Sequence, residues 1–381
     1  MGKKVEIGAF ELFIDGNGDG QIGNPYDEDD PNSIIEESFF STEENVKSAS
    51  TAALASMYSF VQNLYLFDGV YTNSVRVENS TYELQAVYSH NINPGTNIIN
   101  ELWKTSYQAV NRLNQLIYHL EKSEKDWAAK YVDYARVYRA YIYLNMINLW
   151  GDIPLVTVPP SMDNMYFSRT SQSAVLDFVI SELENVYSNL PEEALLPECS
   201  KYFAKSIQAR AFLHRADYSL SLNIVTDIIR GGKYMLNDHL NAVYAGNTME
   251  SIFELSNNQD YSSIWYRNLI QKGDYAPICR YAEILLTAAE ANYRTGNVEQ
   301  ALTYLNQIRK RNGLENISSV AEETLLNAWQ NELKNEGLYF LTLKRFGKAT
   351  QILDIPEYKL LLPIPYQEII LNPNMTQNPG W

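Results

Sequence analysis

Apolar side chains recur at helical spacing over most of the chain, while strict apolar–polar alternation is rare and short. Ser41-Thr42-Glu43-Glu44 reads as a capping box, Ser41 as N-cap and Glu44 reaching back, before a helix to about Leu66. The same periodicity predicts helices near 98–121, 126–150, 171–188, 201–214 and 219–231, and three more near 278–294, 298–311 and 321–346. The clearest strand signal is Ser251–Leu255. The fold class is therefore mainly α, with few short strands.

Within 126–150, the stretch YRAYIYLNMINLW leaves no broad polar face, so neighbours must enclose this helix. The rings of Tyr138, Tyr141 and Tyr143 are read as core. Arg136 and Arg139 each need a carboxylate or carbonyl partner if buried. Gly151 supplies the left-handed residue after the last turn, and Pro154 prevents continuation.

Two segments align without gaps, ARAFLHRADYSLSLNIVTDIIRGG from Ala209 and AEANYRTGNVEQALTYLNQIRKRN from Ala289. Small residues coincide at Ala211/Ala291, Ala216/Gly296 and Ser221/Ala301, and Leu222 matches Leu302. This is a tetratricopeptide-like helical pair, with Asn297–Gln300 placed to cap the second helix of the later copy. Such pairs cannot bury their apolar faces alone, so they stack. Helical frames of this kind usually present surfaces to partners.

Composition narrows the class. A formal charge of -16 and a pI near 4.8 exclude a nucleic-acid partner, because neutralising phosphates takes clustered Lys and Arg. No run of about 18 apolar residues exists to span a bilayer, and the N-terminus MGKKVEIGAF has no signal-peptide core. Cys199 and Cys279 have no metal-ligand spacing and are expected to stay unpaired. Tyrosine is the outlier, with 28 residues beside 13 Phe and 6 Trp, and its flat face plus hydroxyl suits half-wet surfaces and polar ligands.

The motifs, taken in order, resemble the SusD/RagB family of surface glycan-binding lipoproteins of the Bacteroidetes. YIYLNMINLWGDIPLVT, behind Arg136 and Arg139, resembles that family's arginine-bearing helix and Gly-Asp-hydrophobic-Pro turn. RTSQSAVLDFVISELENVYSNLP from Arg169, FAKSIQARAFLHRADY from Phe203, IIRGGKYML from Ile228 and SIFELSNN from Ser251 follow in the family's order. So do RYAEILLTAAEANYRTGNVEQALTYLNQIRKRNGL from Arg280, EGLYFLTLKRFGKA from Glu336 and LLPIPYQEIILNPNMTQNPGW from Leu361. The resemblance covers about residues 40–381.

The resemblance implies tetratricopeptide-like pairs carrying an irregular, loop-rich lobe. It implies a lipid-anchored protein at the outer cell surface, capping a SusC-like TonB-dependent transporter in the outer membrane, with an oligosaccharide ligand, no cofactor and no catalysis. The chain departs from the pattern in three places. Only 24 residues, Gln259 to Ala282, link the SNN strand to the middle of the RYAE motif, where many relatives carry a larger insert. The lipidated cysteine expected at a mature start is absent, as in a form from which it has been removed. The arginine-rich stretch that often follows EGLYFLTLKRFG is missing. The expected organisation is an N-terminal extended segment over 1–40 and a single domain over 41–381, with its lobe drawn from 68–97 and 257–277.

Sugar binding asks for exposed rings whose faces carry a pyranose's C–H groups, with amides, guanidinium or carboxylates for its hydroxyls. Loops leave such groups free. The window 68–97 offers Tyr71, Arg76, Asn79, Tyr82, Tyr88, His90, Asn91 and Asn93, and the window 257–277 offers Tyr261, Trp265, Tyr266 and Arg267. For any single ring, ordinary loop packing is the competing reading. Separately, DGNGDGQIG places Asp15, Asn17, Asp19 and the Gln21 carbonyl at alternating EF-hand-like positions, with Gly20 at the sharp turn. Tyr26 stands where such loops carry Glu, so a structural calcium site and a solvated glycine-rich turn both remain open. The four histidines form no i, i+4 pair, and no GxSxG or phosphate loop is present, so no enzyme is expected. The runner-up function is a partner-binding subunit of the transporter complex without its own glycan site.

Overall fold

The computed structural model describes residues 39–78, 80–161, 164–257 and 263–381, with the backbone of an antiparallel hairpin, β1 (Lys4–Ile7) and β2 (Phe10–Phe13), near the N-terminus. The calcium-loop residues Asp15, Asn17, Asp19 and Gln21 lie outside the described residues, as do Asn79 and Tyr261.

The body is a succession of packed helices: α1 (Glu43–Tyr71), a short α2 (Tyr82–Tyr88), α3 (Asn97–Leu120), α4 (Ala128–Trp150), α5 (Gln172–Val186), α6 (Lys201–His214) and α7 (Tyr218–Arg230). After the short α8 (Ile264–Leu269) come α9 (Tyr281–Arg294), α10 (Val298–Arg311), α11 (Glu322–Glu332), α12 (Tyr339–Arg345), α13 (Ala349–Leu353) and α14 (Tyr366–Leu371). Each long helix packs on the next: α1 on α3, α3 on α4, α4 on α5, α6 on α7, α7 on α9, and α9 on α10. Two small ladders complete the set, β3 (Ile153–Pro154) with β4 (Arg169–Thr170), and β5 (Ser251–Ser256) with β6 (Tyr275–Arg280), both antiparallel. The expected mainly α architecture of stacked helical pairs is the one observed. Among the described residues, no helix is long and apolar enough to cross a membrane.

Helix α4 runs through the middle of this stack, and Tyr138, Tyr141 and Tyr143 are buried. Burying a large apolar side chain is worth about 1.5–3 kcal/mol, and these rings keep a polar use as well. The Tyr143 hydroxyl donates to the Val156 carbonyl at 2.7 Å and accepts the Val156 N–H at 2.8 Å, pinning the chain beyond α4. Arg139 is buried and binds Glu182 and the Asn114 carboxamide oxygen at 2.6 Å, while half-buried Arg136 pairs with Glu121 at 2.6 Å. The helix stops at Gly151, whose φ of +72° a side chain would resist.

In the α6–α7 and α9–α10 pairs, the matched small residues sit where the sequence places them. Ser221 and Ala301 are fully buried, and the Ser221 hydroxyl donates to the Ala209 carbonyl on the facing helix at 2.8 Å. Ala216 and Gly296 turn the two hairpins at φ of +63° and +83°. Arg210 on α6 then binds Glu283 on α9 through two hydrogen bonds of 2.8 Å, tying one hairpin to the next.

Three local expectations are corrected. The α1 cap is Thr42, one residue after Ser41; it is extended, and its side chain accepts from the Asn45 N–H at 3.4 Å. Asn297 is the N-cap of α10 but makes no side-chain capping bond. The single helix expected over 321–346 is two, because Asn335 and Gly337 take positive φ and the chain turns between α11 and α12. Cys199 and Cys279 are buried and unpaired.

Candidate functional site

The two loop windows meet at the C-terminal end of α1. Phe67, Val70 and Tyr71 all face the core, so α1 continues to Tyr71 rather than ending near Leu66. Thr72 closes it, its hydroxyl donating to the Asp68 carbonyl at 2.6 Å. A Cβ on Gly69 would lie 2.8 Å from Ile270 and 3.5 Å from Val75, so the start of the first window and the end of α8 touch here. A side chain at position 69 would require the Ile270 side chain to shift.

The first window is braced from below. The buried Asp68 carboxylate accepts the N–H groups of Phe340 at 2.8 Å and Tyr339 at 3.3 Å, at the start of α12. Burial dominates its titration and raises its pKa to about 6, against the lowering effect of those donors. A second brace joins the window to the C-terminal segment. His90 Nε2 hydrogen-bonds the Tyr71 carbonyl at 2.7 Å, Lys359 Nζ donates to the His90 carbonyl at 2.7 Å, and the Tyr71 hydroxyl donates to the Lys359 carbonyl at 2.9 Å. The Tyr366 N–H adds a bond to the Pro94 carbonyl at 3.0 Å. Burial pushes the His90 pKa down, which favours a neutral ring in this position.

Helix α2 stands on that base. Thr81 caps it, accepting from the Leu84 N–H at 3.3 Å, and Leu84 with Val87 anchors its inner face. Tyr82, on the outer face, is 79% exposed. Arg76 and Glu78 form an exposed ion pair at 3.6 Å, and Asn91 is exposed. Tyr88 is half-buried against the core.

The second window hangs on Asn257, whose carboxamide oxygen accepts from the Tyr58 hydroxyl at 2.6 Å and the Tyr266 hydroxyl at 3.2 Å. Its amide nitrogen donates to the Gly273 carbonyl at 2.7 Å, closing the base of the loop. Ser263 caps α8, accepting from the Tyr266 N–H at 3.1 Å. Trp265 packs one side on the core and stays half-exposed, next to exposed Ile264 and Arg267.

Two candidate rings are removed by this geometry. Tyr71 and Tyr266 are buried, their hydroxyls consumed by Lys359 and Asn257, so neither offers a face to a ligand. Burial raises the pKa of both phenols. The residues brought to the surface are Arg76, Tyr82 and Asn91 in the first window, with Tyr88 and, in the second window, Trp265 partly covered by the core. Sequence reasoning missed the braces: Asp68 and Lys359 lie in no motif, and their role follows from contacts about 270 positions apart along the chain.

Beneath the second window lies a buried ion network. Arg280 binds Glu250 and Glu332 at 2.6 Å each and Glu336 at 2.9 Å, with Arg311 also on Glu250 at 3.1 Å. Lys272 donates to the Tyr244 hydroxyl at 2.8 Å, which in turn donates to Glu336 at 3.1 Å. Every carboxylate here is paired, which is the condition for burying charge at all. The charges hold β5, β6 and α11 together.

Helical hairpins in a stack, carrying a lobe of braced loops with an exposed ring and amides, define a helical scaffold that presents loops. Comparison with known proteins places that scaffold. Residues 247–360 match the model of the SusD family, and residues 26–215 match a family described as starch-binding and associating with the outer membrane. A SusD-like protein P38 of Formosa agariphila is 21% identical over 91% of this chain and 93% of its own length. The starch-binding protein SusD of Bacteroides thetaiotaomicron is 34% identical over 28% of this chain and 21% of its own. Among solved structures, a laminarin-binding SusD-like protein superposes with a TM-score of 0.78 at 18% identity, over 89% of this chain and all of that one. A SusD superfamily protein from Bacteroides vulgatus gives 0.78 at 17% identity over 90% of this chain. The chain belongs to the SusD/RagB family.

Proposed function

We propose that the protein is a non-catalytic binder of a neutral oligosaccharide or polysaccharide, held at the outer-membrane surface by a lipid anchor, which passes its ligand to a SusC-like TonB-dependent transporter. The observation that carries the reading is the exposed ring of Tyr82 on a short helix braced through Leu84, Val87 and the His90–Lys359 contacts, in a lobe that also presents Trp265, Arg76 and Asn91. A ring presented to water on a braced helix, with guanidinium and amide groups in the same lobe, can stack on a pyranose and bond its hydroxyls. Relatives named as starch-binding and laminarin-binding support the same ligand class.

With one or two stacking rings, affinity falls in the range of about 10 µM to about 1 mM. Calorimetric titration against laminarin, starch, xylan and mannan, with product analysis, tests the reading. Heat of binding without product release is expected. Product release from any polysaccharide would make the protein a hydrolase instead. The loss of Tyr71 and Tyr266 to the core thins the ring surface and favours one alternative, a transporter subunit with no glycan site of its own. No heat from any polysaccharide, alongside stable association with the transporter, would favour that alternative. A structural calcium ion at Asp15, Asn17, Asp19 and Gln21 stays a proposal, and an unfolding midpoint unchanged by chelator would end it.

A further inference from the structure

On the described surface, a concavity of about 590 Å³ lies between the 192–200 loop, Lys233 and Tyr234 after α7, the 247–249 turn and the β5–β6 ladder. It contains none of the candidate residues named in the two loop windows, although its Tyr275 falls inside the 257–277 segment. Its walls carry the partly exposed rings of Tyr234 and Tyr275. Tyr275 is fixed: its ring lies over Gly246, where a Cβ would come within 2.2 Å of Cδ2, and glycine is therefore required behind it. Tyr234 meets the Tyr202 ring edge-on at 5.4 Å.

The polar lining is organised in advance. Glu254 accepts the Asn247 N–H at 2.5 Å and the Ser251 hydroxyl at 2.6 Å, which fixes the 247–251 turn. The exposed Asn247 carboxamide lies 3.4 Å from the Tyr275 hydroxyl. Lys233 is held by Glu193 at 2.9 Å and by the Glu192 carbonyl at 3.0 Å. At the rim stand Leu195, which is 83% exposed, and Met249, which is 53% exposed.

We propose that this cleft is a second binding site for a neutral glycan, so that one chain of polysaccharide can be held at two places. The ligand class follows from the walls. Tyrosine faces suit pyranose C–H groups, and carboxamide, hydroxyl and carboxylate oxygens suit sugar hydroxyls. Four carboxylates, Glu192, Glu193, Glu198 and Glu254, line the cleft, and the ammonium groups beside them are already engaged, Lys233 with Glu193, Lys201 with Glu192 and Lys130 near Glu198 at 3.8 Å, which disfavours sulfated or uronic acid polymers. Linking two weak sites through one polymer raises overall affinity without any new contact. The inference rests on the glycan-binding reading above but on none of its residues.

The test compares four proteins with laminari- and malto-heptaose, xylohexaose and mannohexaose by calorimetry: wild type, Tyr82→Ala/Trp265→Ala, and the cleft variants Tyr234→Ala and Ser256→Trp. Ser256→Trp fills the exposed mouth and leaves the rings intact, and melting curves confirm folding of each. The loop variant is expected to keep saturable binding to one probe, and each cleft variant to lose that component. The parent polysaccharide of that probe should bind wild type more than tenfold tighter than either class of variant. If the loop variant loses all binding, or both cleft variants match wild type, the cleft is refuted and the loop site stands. If the loop variant matches wild type while the cleft variants bind nothing, the loop reading fails and the cleft stands. No binding of any probe by wild type overturns both.

Discussion

Asp68 is the residue on which two levels of the structure depend, because its carboxylate holds the start of α12 from inside α1. Its folded pKa of about 6 lies above the ordinary aspartate value of 3.8. The native state therefore binds the extra proton between those values, and its contribution to stability is complete below about pH 3.8 and lost as pH rises through about 6. Asp68→Asn keeps an acceptor oxygen and removes the titration. Relative to this variant, wild type is expected to lose urea-unfolding stability between pH 4 and pH 6.5, and parallel profiles would contradict the assignment. Tyr71 is the complementary case, a ring taken from the sequence as ligand-facing that lies in the core. Tyr71→Phe deletes the bond to Lys359 and should cost about 0.5–1.5 kcal/mol of stability while leaving glycan affinity unchanged. A fall in affinity without a fall in stability would return the ring to the binding surface.

At the scale of elements, the paired helices were legible because small residues recur at fixed offsets. Ala216 and Gly296 occupy the same turn of two hairpins, yet Ala216 carries a Cβ at φ +63°. Ala216→Gly is expected to raise unfolding stability by about 0.5–1 kcal/mol, measured by thermal melting, and a loss would mean that Gly adds more freedom to the unfolded chain than it relieves in the turn. The break between α11 and α12 escaped the periodicity because Leu338, Phe340 and Leu341 continue the apolar pattern past the turn. The stop signal was Asn335-Glu336-Gly337, whose outer residues both take positive φ. Gly337→Ala would place a Cβ 2.7 Å from the Tyr65 ring and should lower the unfolding midpoint clearly. The burial of Tyr266 on α8 escapes the sequence for a related reason. Tyr266 and Ile270 share its inner face at i, i+4 spacing, whereas Trp265 lies off that face, and a six-residue helix is too short for its period to stand out. Loop braces such as Lys359 on His90 join distant positions, and no local pattern announces them.

At the scale of the whole molecule, the helical stack forms the frame, and the proposed contact chemistry lies on its loops. The frame was readable from periodicity and from ordered motifs, and the family comparisons agree with it. The division of the loops into buried and exposed rings was not readable, because burial there depends on which segments meet at Gly69. The formal charge of -16 sets a further expectation. Binding of a neutral glycan should change by less than about twofold between about 50 and about 500 mM salt, since screening acts on charge pairs and this contact uses few. A steep salt dependence would point to an ionic ligand and overturn the neutral class.

The most direct measurement of the central claim is a crystal structure of the protein with a bound oligosaccharide identified by the glycan titrations. Sugar density is expected on the loop lobe, with a pyranose face against Tyr82 or Trp265 and hydroxyls within reach of Arg76 or Asn91. Sugar held instead between the paired helices, with both rings bare, would contradict it.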